Sequence, residues 1–396
     1  MQKRIIVRIS IPYLLTVAVA VLCIVVGNRV AAQGLPLFQG DGGHEVVRAA
    51  VQRITERIEP DGFDDLMFFA GEIVFFEAKV TRGERRGSIL TASQSLGDFS
   101  WSAAKEVEPG DSILLVYNDF IGEWFFEGYV RTDRLFVLGL LFTLCLLLFG
   151  GKKGFNTILS LALTCGAVFG VFIPAILAGK NIYTMSLLVC AYVIAMTLLL
   201  VVGFNKKALA AAAGCASGLA VTGAIALIMD SALYLTGILD EHSRFLQNLP
   251  LENQIDLRAI IFAGIIIGAM GAIMDVALSI SSALWEIKQK AQAVKLRALF
   301  RSGVAIGRDI MGSMANTLVL AYIGTSLAVV LLLTHYSDSL LSLLNREMIV
   351  VEILMAMSGI FGILLAMPLT AFFCSVLYVK KDPLKGSSLD TKAGLL

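Results

Sequence analysis

The stretch from Phe262 to Glu286, FAGIIIGAMGAIMDVALSISSALWE, decides how the rest of the chain is read. Gly264, Gly268, Gly271, Asp275, Ser279, Ser282 and Glu286 recur in it at intervals of four, three, four, four, three and four. On a helix that spacing draws one straight face, glycine in its first half and polar in its second. The remaining faces are apolar, and about 20 such residues cross a bilayer. Glycines placed this way let a second helix backbone approach closely. A carboxylate at membrane depth is costly, so Asp275 is the first candidate for a transport or ion site. Ser279 and Ser282 assist it, and Gly264, Gly268 and Gly271 serve as packing positions. Gly268 and Gly271 also fit the glycine interruptions that mark discontinuous transporter helices.

A second stretch, Gly303 to Thr317, reads GVAIGRDIMGSMANT. Asp309, Gly312 and Asn316 share a helical face, and Ser313 and Thr317 extend an adjoining strip. Two readings stand side by side. Arg308 pairs with Asp275 or Asp309 and locks helices together, or the polar groups line a path for a solute or ion. With spans at 258–280 and 311–334, both acids fall near the cytoplasmic boundary and line one inner vestibule.

Composition supports a chain that mostly faces lipid. Hydrophobic residues make up 57%, charged residues 16%, and mean hydropathy is +0.80. Soluble chains average about 45–50% apolar and roughly 25% charged. A net charge of +1 removes the electrostatic case for nucleic-acid binding. Cys23, Cys145, Cys165, Cys190, Cys215 and Cys374 all lie in apolar runs and read as packing residues. Three histidines, His44, His242 and His335, are too scattered for a metal cluster, so no metal or cofactor is expected.

Eight apolar runs are long enough to span: 9–27, 134–150, 156–178, 182–203, 208–230, 258–280, 311–334 and 350–378. The expected fold is thus a polytopic α-helical membrane protein of about eight transmembrane helices with a small outer β-barrel. Lys and Arg in short loops stay cytoplasmic. With both termini inside, 16 basic residues fall on that side, against Lys180, Arg244, Arg258 and Arg346 outside. Lys206 and Lys207, Lys288 through Arg308, and the tail lysines Lys380, Lys381 and Lys385 carry most of the bias. The expected domains are an anchor at 1–29, an outer β domain at 30–131, a seven-helix membrane domain at 132–379 and a cytoplasmic tail at 380–396. Val30-Ala31-Ala32 also resembles a signal-peptide cleavage site, the rival reading of the first span.

The outer segment is read as short strands. Gly71–Val80 alternates as a strand, the turn Arg82–Gly87 follows, and Ser88–Ala92 is its hairpin partner. Pro109-Gly110-Asp111 turns into Ile113–Tyr117, Trp124–Val130 is another strand, and Val46–Ile54 opens the set. Such a set fits a barrel of the oligonucleotide/oligosaccharide-binding type. It acts as a cap or assembly module, or it senses a ligand through its basic hairpin.

Gly150–Asn156 and Gly203–Lys207 share a Gly-Phe-Asn element, read as two basic cytoplasmic turns. Gly214-Cys215-Ala216-Ser217-Gly218 is similar to the Ser-Gly element of intramembrane serine proteases. That chemistry needs a histidine base within reach, and only His335 lies near a span, so the stretch reads as small-residue packing and no enzyme activity is expected. No P-loop element is present, and uphill transport would draw on an ion gradient or a separate ATPase.

At Gly271–Ser281 and Gly307–Leu318 the sequence resembles the YibE/F-like family of bacterial multi-pass membrane proteins. The likeness extends to the outer β domain, the Gly203–Lys207 turn and the final span with Pro368-Leu369-Thr370. The resemblance implies a permease-like protein of the bacterial plasma membrane, with residues 30–131 outside, and names no substrate. The expected function is passage of a small solute or ion through the bilayer. The alternative is a scaffold or sensor whose outer domain binds a partner protein, or a homo-oligomeric framework.

Overall fold

A computed structural model describes residues 11–32, 45–58, 71–97, 105–249, 254–291 and 294–379. The basic start, with Lys3, Arg4 and Arg8 among the 16 cytoplasmic basic residues expected, His44 and the tail at 380–396 lie outside the described residues. The chain divides into two compact units, Pro36–Phe149 and Met1–Leu35 with Gly150–Leu396.

The first unit holds five strands: β1 (Val46–Ile58), β2 (Gly71–Val80), β3 (Ile89–Gly97), β4 (Ser112–Asn118) and β5 (Glu123–Tyr129). They close into a barrel in the order β1-β2-β3-β5-β4, with β3 and β5 parallel and the other neighbours antiparallel. Along β2 alternate side chains point inward, so Val74, Phe76, Ala78 and Val80 are buried while Phe75 and Glu77 are half-buried. Ile113 and Leu115 of β4 join them in the core. β1 serves two neighbours, and the register shifts between Val51 and Arg53 and between Ile54 and Glu56 let it curl. On the wall, Arg53 donates to Glu77 at 2.7 and 3.0 Å, and those bonds hold the Glu77 carboxyl below the usual carboxylate range. Arg85 of the basic hairpin is already engaged: it pairs with Glu45 at 2.9 Å and sits over the Trp124 ring.

Helix α2 (Thr132–Ala167) begins in this unit, where Arg48 grips Asp133 through both guanidinium nitrogens. At Gly151 (φ 51, ψ −126) its backbone leaves helical geometry, a conformation open mainly to glycine. Residues 132–177 therefore form one 46-residue apolar run made of two helices, where the sequence suggested separate spans at 134–150 and 156–178. The basic Gly-Phe-Asn element at 154–156 is helical, while Gly203 (φ 86) and the N-cap Asn205 make a genuine turn, so the two similar texts fold differently.

The second unit is helical. It contains α1 (Ile11–Ala32), the rest of α2, a wide π turn (Val168–Phe172), α3 (Ile173–Leu177), α4 (Ile182–Val201), α5 (Lys206–Ala232) and α6 (Glu241–Gln247). These are followed by α7 (Leu257–Lys290), α8 (Leu296–His335), α9 (Leu340–Leu344) and α10 (Glu347–Tyr378). Among the described residues, seven helices are long and apolar enough to cross a membrane. Pro174 has no N–H to offer Gly170, and the Asn28 side chain of α1 donates to that carbonyl.

Glycine and other small residues set the packing. A Cβ at Gly214 would stand 1.9 Å from Thr370 Oγ1, and one at Gly362 would stand 2.0 Å from Thr222 Oγ1. α5 and α10 therefore approach almost backbone to backbone. The Ser217 hydroxyl inside this seam donates to Ala213 O at 2.7 Å, an ordinary helix bond. Tyr378 and Ser281 are within 2.7 Å, tying the end of α10 to α7. At the other end the Glu347 carboxylate accepts from the N–H groups of Thr236 and Gly237 at 2.6 and 2.7 Å.

Candidate functional site

Two features of α7 and α8 differ from the reading of the sequence. Both continue far past the apolar runs at 258–280 and 311–334, so the segment between those runs is almost wholly helical. Lys, Arg, Glu and Gln are good helix formers, and Glu286 and Lys290 pair one turn apart at 2.8 Å. Hydropathy marks where lipid ends, and a helix has no reason to stop there. The expected interruption at Gly268–Gly271 is absent: α7 is continuous. Gly268 instead makes room for Tyr322, whose hydroxyl would lie 2.6 Å from a Cβ there, and Gly264 faces Met355.

α7 is the central helix, and its Ile265, Ile266, Ala269, Ile273, Val276, Ala277, Ile280 and Leu284 are buried among its neighbours. The stripe seen in the sequence stays largely exposed, with Met355 and Tyr322 flanking its glycine end. Gly264, Gly268, Gly271, Asp275, Ser279 and Glu286 are exposed and Ser282 is half-buried. Nothing lies within 4 Å of where a Cβ on Gly271 would stand.

α8 runs antiparallel beside it. A Cβ at Gly303 would stand 2.8 Å from Leu284, and one at Gly307 would stand 3.2 Å from Ile280. With Tyr322 against Gly268, these contacts put Gly312 level with Asp275 and Asp309 level with Ser279. The packed side of α8 carries the buried Leu299, Gly303 and Gly307. At about 100° per residue, Asp309, Gly312 and Asn316 lie roughly 140–200° round the helix from Gly307. All three are exposed, as is Arg308, and a Cβ on Gly312 would meet nothing within 4 Å. Asp275 and Asp309 thus come to neighbouring depths on helices that touch, with no bond between them. Among the described residues neither acid, nor Arg308, nor Asn316 has a hydrogen-bond or ion-pair partner, so the lock through Arg308 is not made within one chain.

Two further groups lie beside the glycine end of the α7 stripe and were not singled out from the sequence. Tyr322 Oη is buried without a hydrogen-bond partner beside Gly268. The half-buried Glu352 of α10 stands close enough for its charge to act on that hydroxyl. An acid at the third position of the 350–378 apolar run was the available signal. From Gly268 to Glu286 the polar ladder rises about 27 Å at 1.5 Å per residue, close to the ~30 Å of a hydrocarbon core.

The model of the family described as YibE/F-like protein matches residues 138–380, more than half of the chain. The chain belongs to the YibE/F-like family. No curated protein and no solved structure matches it. The YibE/F-like region takes in α7, α8 and α10 whole, and with them every residue of the ladder. The barrel strands lie outside the YibE/F-like match.

Proposed function

We propose that this YibE/F-like chain is a permease of the bacterial plasma membrane that passes a small solute or ion along the α7–α8 ladder. The observations that carry the reading are two open polar strips at neighbouring depths: unpaired Asp275 and Ser279 on the uncovered face of α7, and unpaired Asp309 and Asn316 on the outward face of α8, both helices apolar enough to cross a bilayer. Bare lipid is a poor surroundings for such groups, so they meet water or another protein surface. A second copy covering the open face of α7 gives a homo-oligomer with a hydrated path at the interface. The carboxylates supply proton or sodium coupling. Eight crossings, both termini in the cytoplasm and the barrel outside account for the basic bias and for the break at Gly151. The strand order, with β3 and β5 parallel, supports a barrel of the oligonucleotide-binding type.

The test is flux of protons and sodium in proteoliposomes. Asp275→Asn with Asp309→Asn is expected to lower flux at least about tenfold, equivalent to ~1.4 kcal/mol of lost interaction. Flux equal to that of the parent chain removes these acids from the mechanism. The oligomer has its own readout. Gly271→Leu meets open space in one chain, so thermal stability of the subunit is expected to stay unchanged while native mass spectrometry shows dissociation to monomers. A persistent oligomer places the contact elsewhere.

One observation favours a second reading, a scaffold or sensor. The β4–β5 turn presents Phe120 at 95% exposure with Ile121 beside it at 62%, an apolar tip suited to a protein partner. Phe120→Ser is expected to abolish partner capture and leave flux intact if both roles coexist. Loss of flux together with capture would make the barrel part of the transport cycle.

A further inference from the structure

A cavity of about 440 Å³ lies between the end of α4 and the start of α5, away from the ladder. Its walls are Ala195, Leu199, Leu209 and Ala212, all apolar, and its mouth carries Phe204 and Lys206. The volume falls within the range of small-molecule sites, about 300–1,000 Å³. Phe204 stands at the tip of the Gly203 turn with 98% of its surface exposed. A bare aromatic ring beside lysines suits the boundary between headgroups and hydrocarbon. Lys207 follows Lys206 on α5, and Lys153 from α2 is close enough for its charge to act on Lys207. None of Lys153, Lys206 and Lys207 forms an ion pair with a described residue. Lys206 therefore stands at the mouth of an apolar slot, with Lys207 next to it in the chain and Lys153 near Lys207, and none of the three has a countercharge among the described residues.

We infer that this slot binds one anionic phospholipid, its acyl chain between α4 and α5 and its phosphate at Lys206, with Lys207 and Lys153 adding positive potential nearby. The chemistry has two complementary halves, and each excludes a rival occupant. A free phosphate leaves the apolar walls unfilled, and a zwitterionic lipid brings its own cation to a cationic mouth. Basic pockets between membrane helices on the cytoplasmic side favour anionic headgroups on the same grounds. The inference rests on the membrane placement proposed above and is independent of permeation.

The test is native mass spectrometry of the full chain titrated with phosphatidylglycerol, phosphatidylcholine or inorganic phosphate. The parent chain is expected to retain phosphatidylglycerol in preference to phosphatidylcholine. Lys206→Gln is expected to weaken retention about five-fold, and Lys153→Gln with Lys206→Gln about 25-fold, from roughly one surface-lysine attraction each. Ala212→Phe fills the slot with all charges kept and is expected to reduce lipid retention, whereas Lys288→Gln elsewhere on the basic side is expected to change nothing. Equal retention of both lipids, equal retention by the double lysine variant, or displacement by phosphate alone would each overturn the site. Dimers with no lipid adduct would assign the slot to a second copy instead. Failure here leaves proteoliposome flux unaffected, and loss of flux in the aspartate variants leaves lipid retention unaffected, so the two readings fail separately.

Discussion

Gly214→Val is expected to leave no stable helical body. A Cβ at this position would stand 1.9 Å from Thr370 Oγ1, 2.7 Å from its Cβ and 3.0 Å from its Cα. A hydroxyl can rotate away, but the Cα belongs to the α10 backbone, so the whole helix has to move. Four residues on, a Cβ at Gly218 would meet Ala366 at 2.7 Å and the Gly362 carbonyl oxygen at 3.0 Å, so there is no slack along the seam. Overfilling an ordinary core costs about 1–3 kcal/mol, and a clash with backbone belongs at or above that upper end. Against total stabilities of roughly 5–15 kcal/mol, the expected result is loss of the monodisperse peak in detergent or a fall of many degrees in Tm. Gly214→Ala is expected to sit between, and Thr370→Gly to restore part of its loss, because the two sites share one contact. An unchanged Tm for Gly214→Val would show that α5 and α10 do not meet there.

Phe76→Ala is expected to unfold the barrel and spare the helices. Phe76 is fully buried in β2, between Val74 and Ala78 on the inner face. Removing a core phenylalanine costs about 3–5 kcal/mol, and a unit of this size buries too little surface to absorb that. Limited proteolysis of the full chain is expected to cut within residues 46–129 while a fragment covering 150–379 persists. Phe75→Ala, one residue away and half-buried on the other face, is expected to remain resistant. Equal sensitivity of the two variants would contradict the inward alternation along β2.

The alternation that separates Phe75 from Phe76 was legible in the sequence, as were the bounds of β2, because a two-residue period needs only local information. The parallel pairing of β3 with β5 was not: Ala92 meets Trp124, 32 positions away, and nothing local encodes that contact. The stripe on α7 was readable because a helix repeats regularly, and it does form one face. Its openness was not readable, since whether Gly271 is covered depends on where α8 lies. The assignment of Gly268 to a helix break failed for the same reason, because a glycine making room for Tyr322 and a glycine ending a helix look alike in text. Glu352 was passed over because an apolar run hides a single acid from any averaged scale. Arg308 had two acids within plausible reach on paper, and the placement of its helix decides that it takes neither.

The Gly362–Thr222 contact has a bearing on how the protein is made. α10 is the partner on which α5, α7 and α8 all close, and it is translated last of the four. At about 5–20 residues per second, the ribosome needs on the order of 7–30 seconds after finishing α5 before α10 is complete. For that interval the small-residue groove of α5 has no partner helix to fill it. Any nascent chain stalled before Glu347 lacks its keystone and is left with that groove unfilled, the form a protease would attack first.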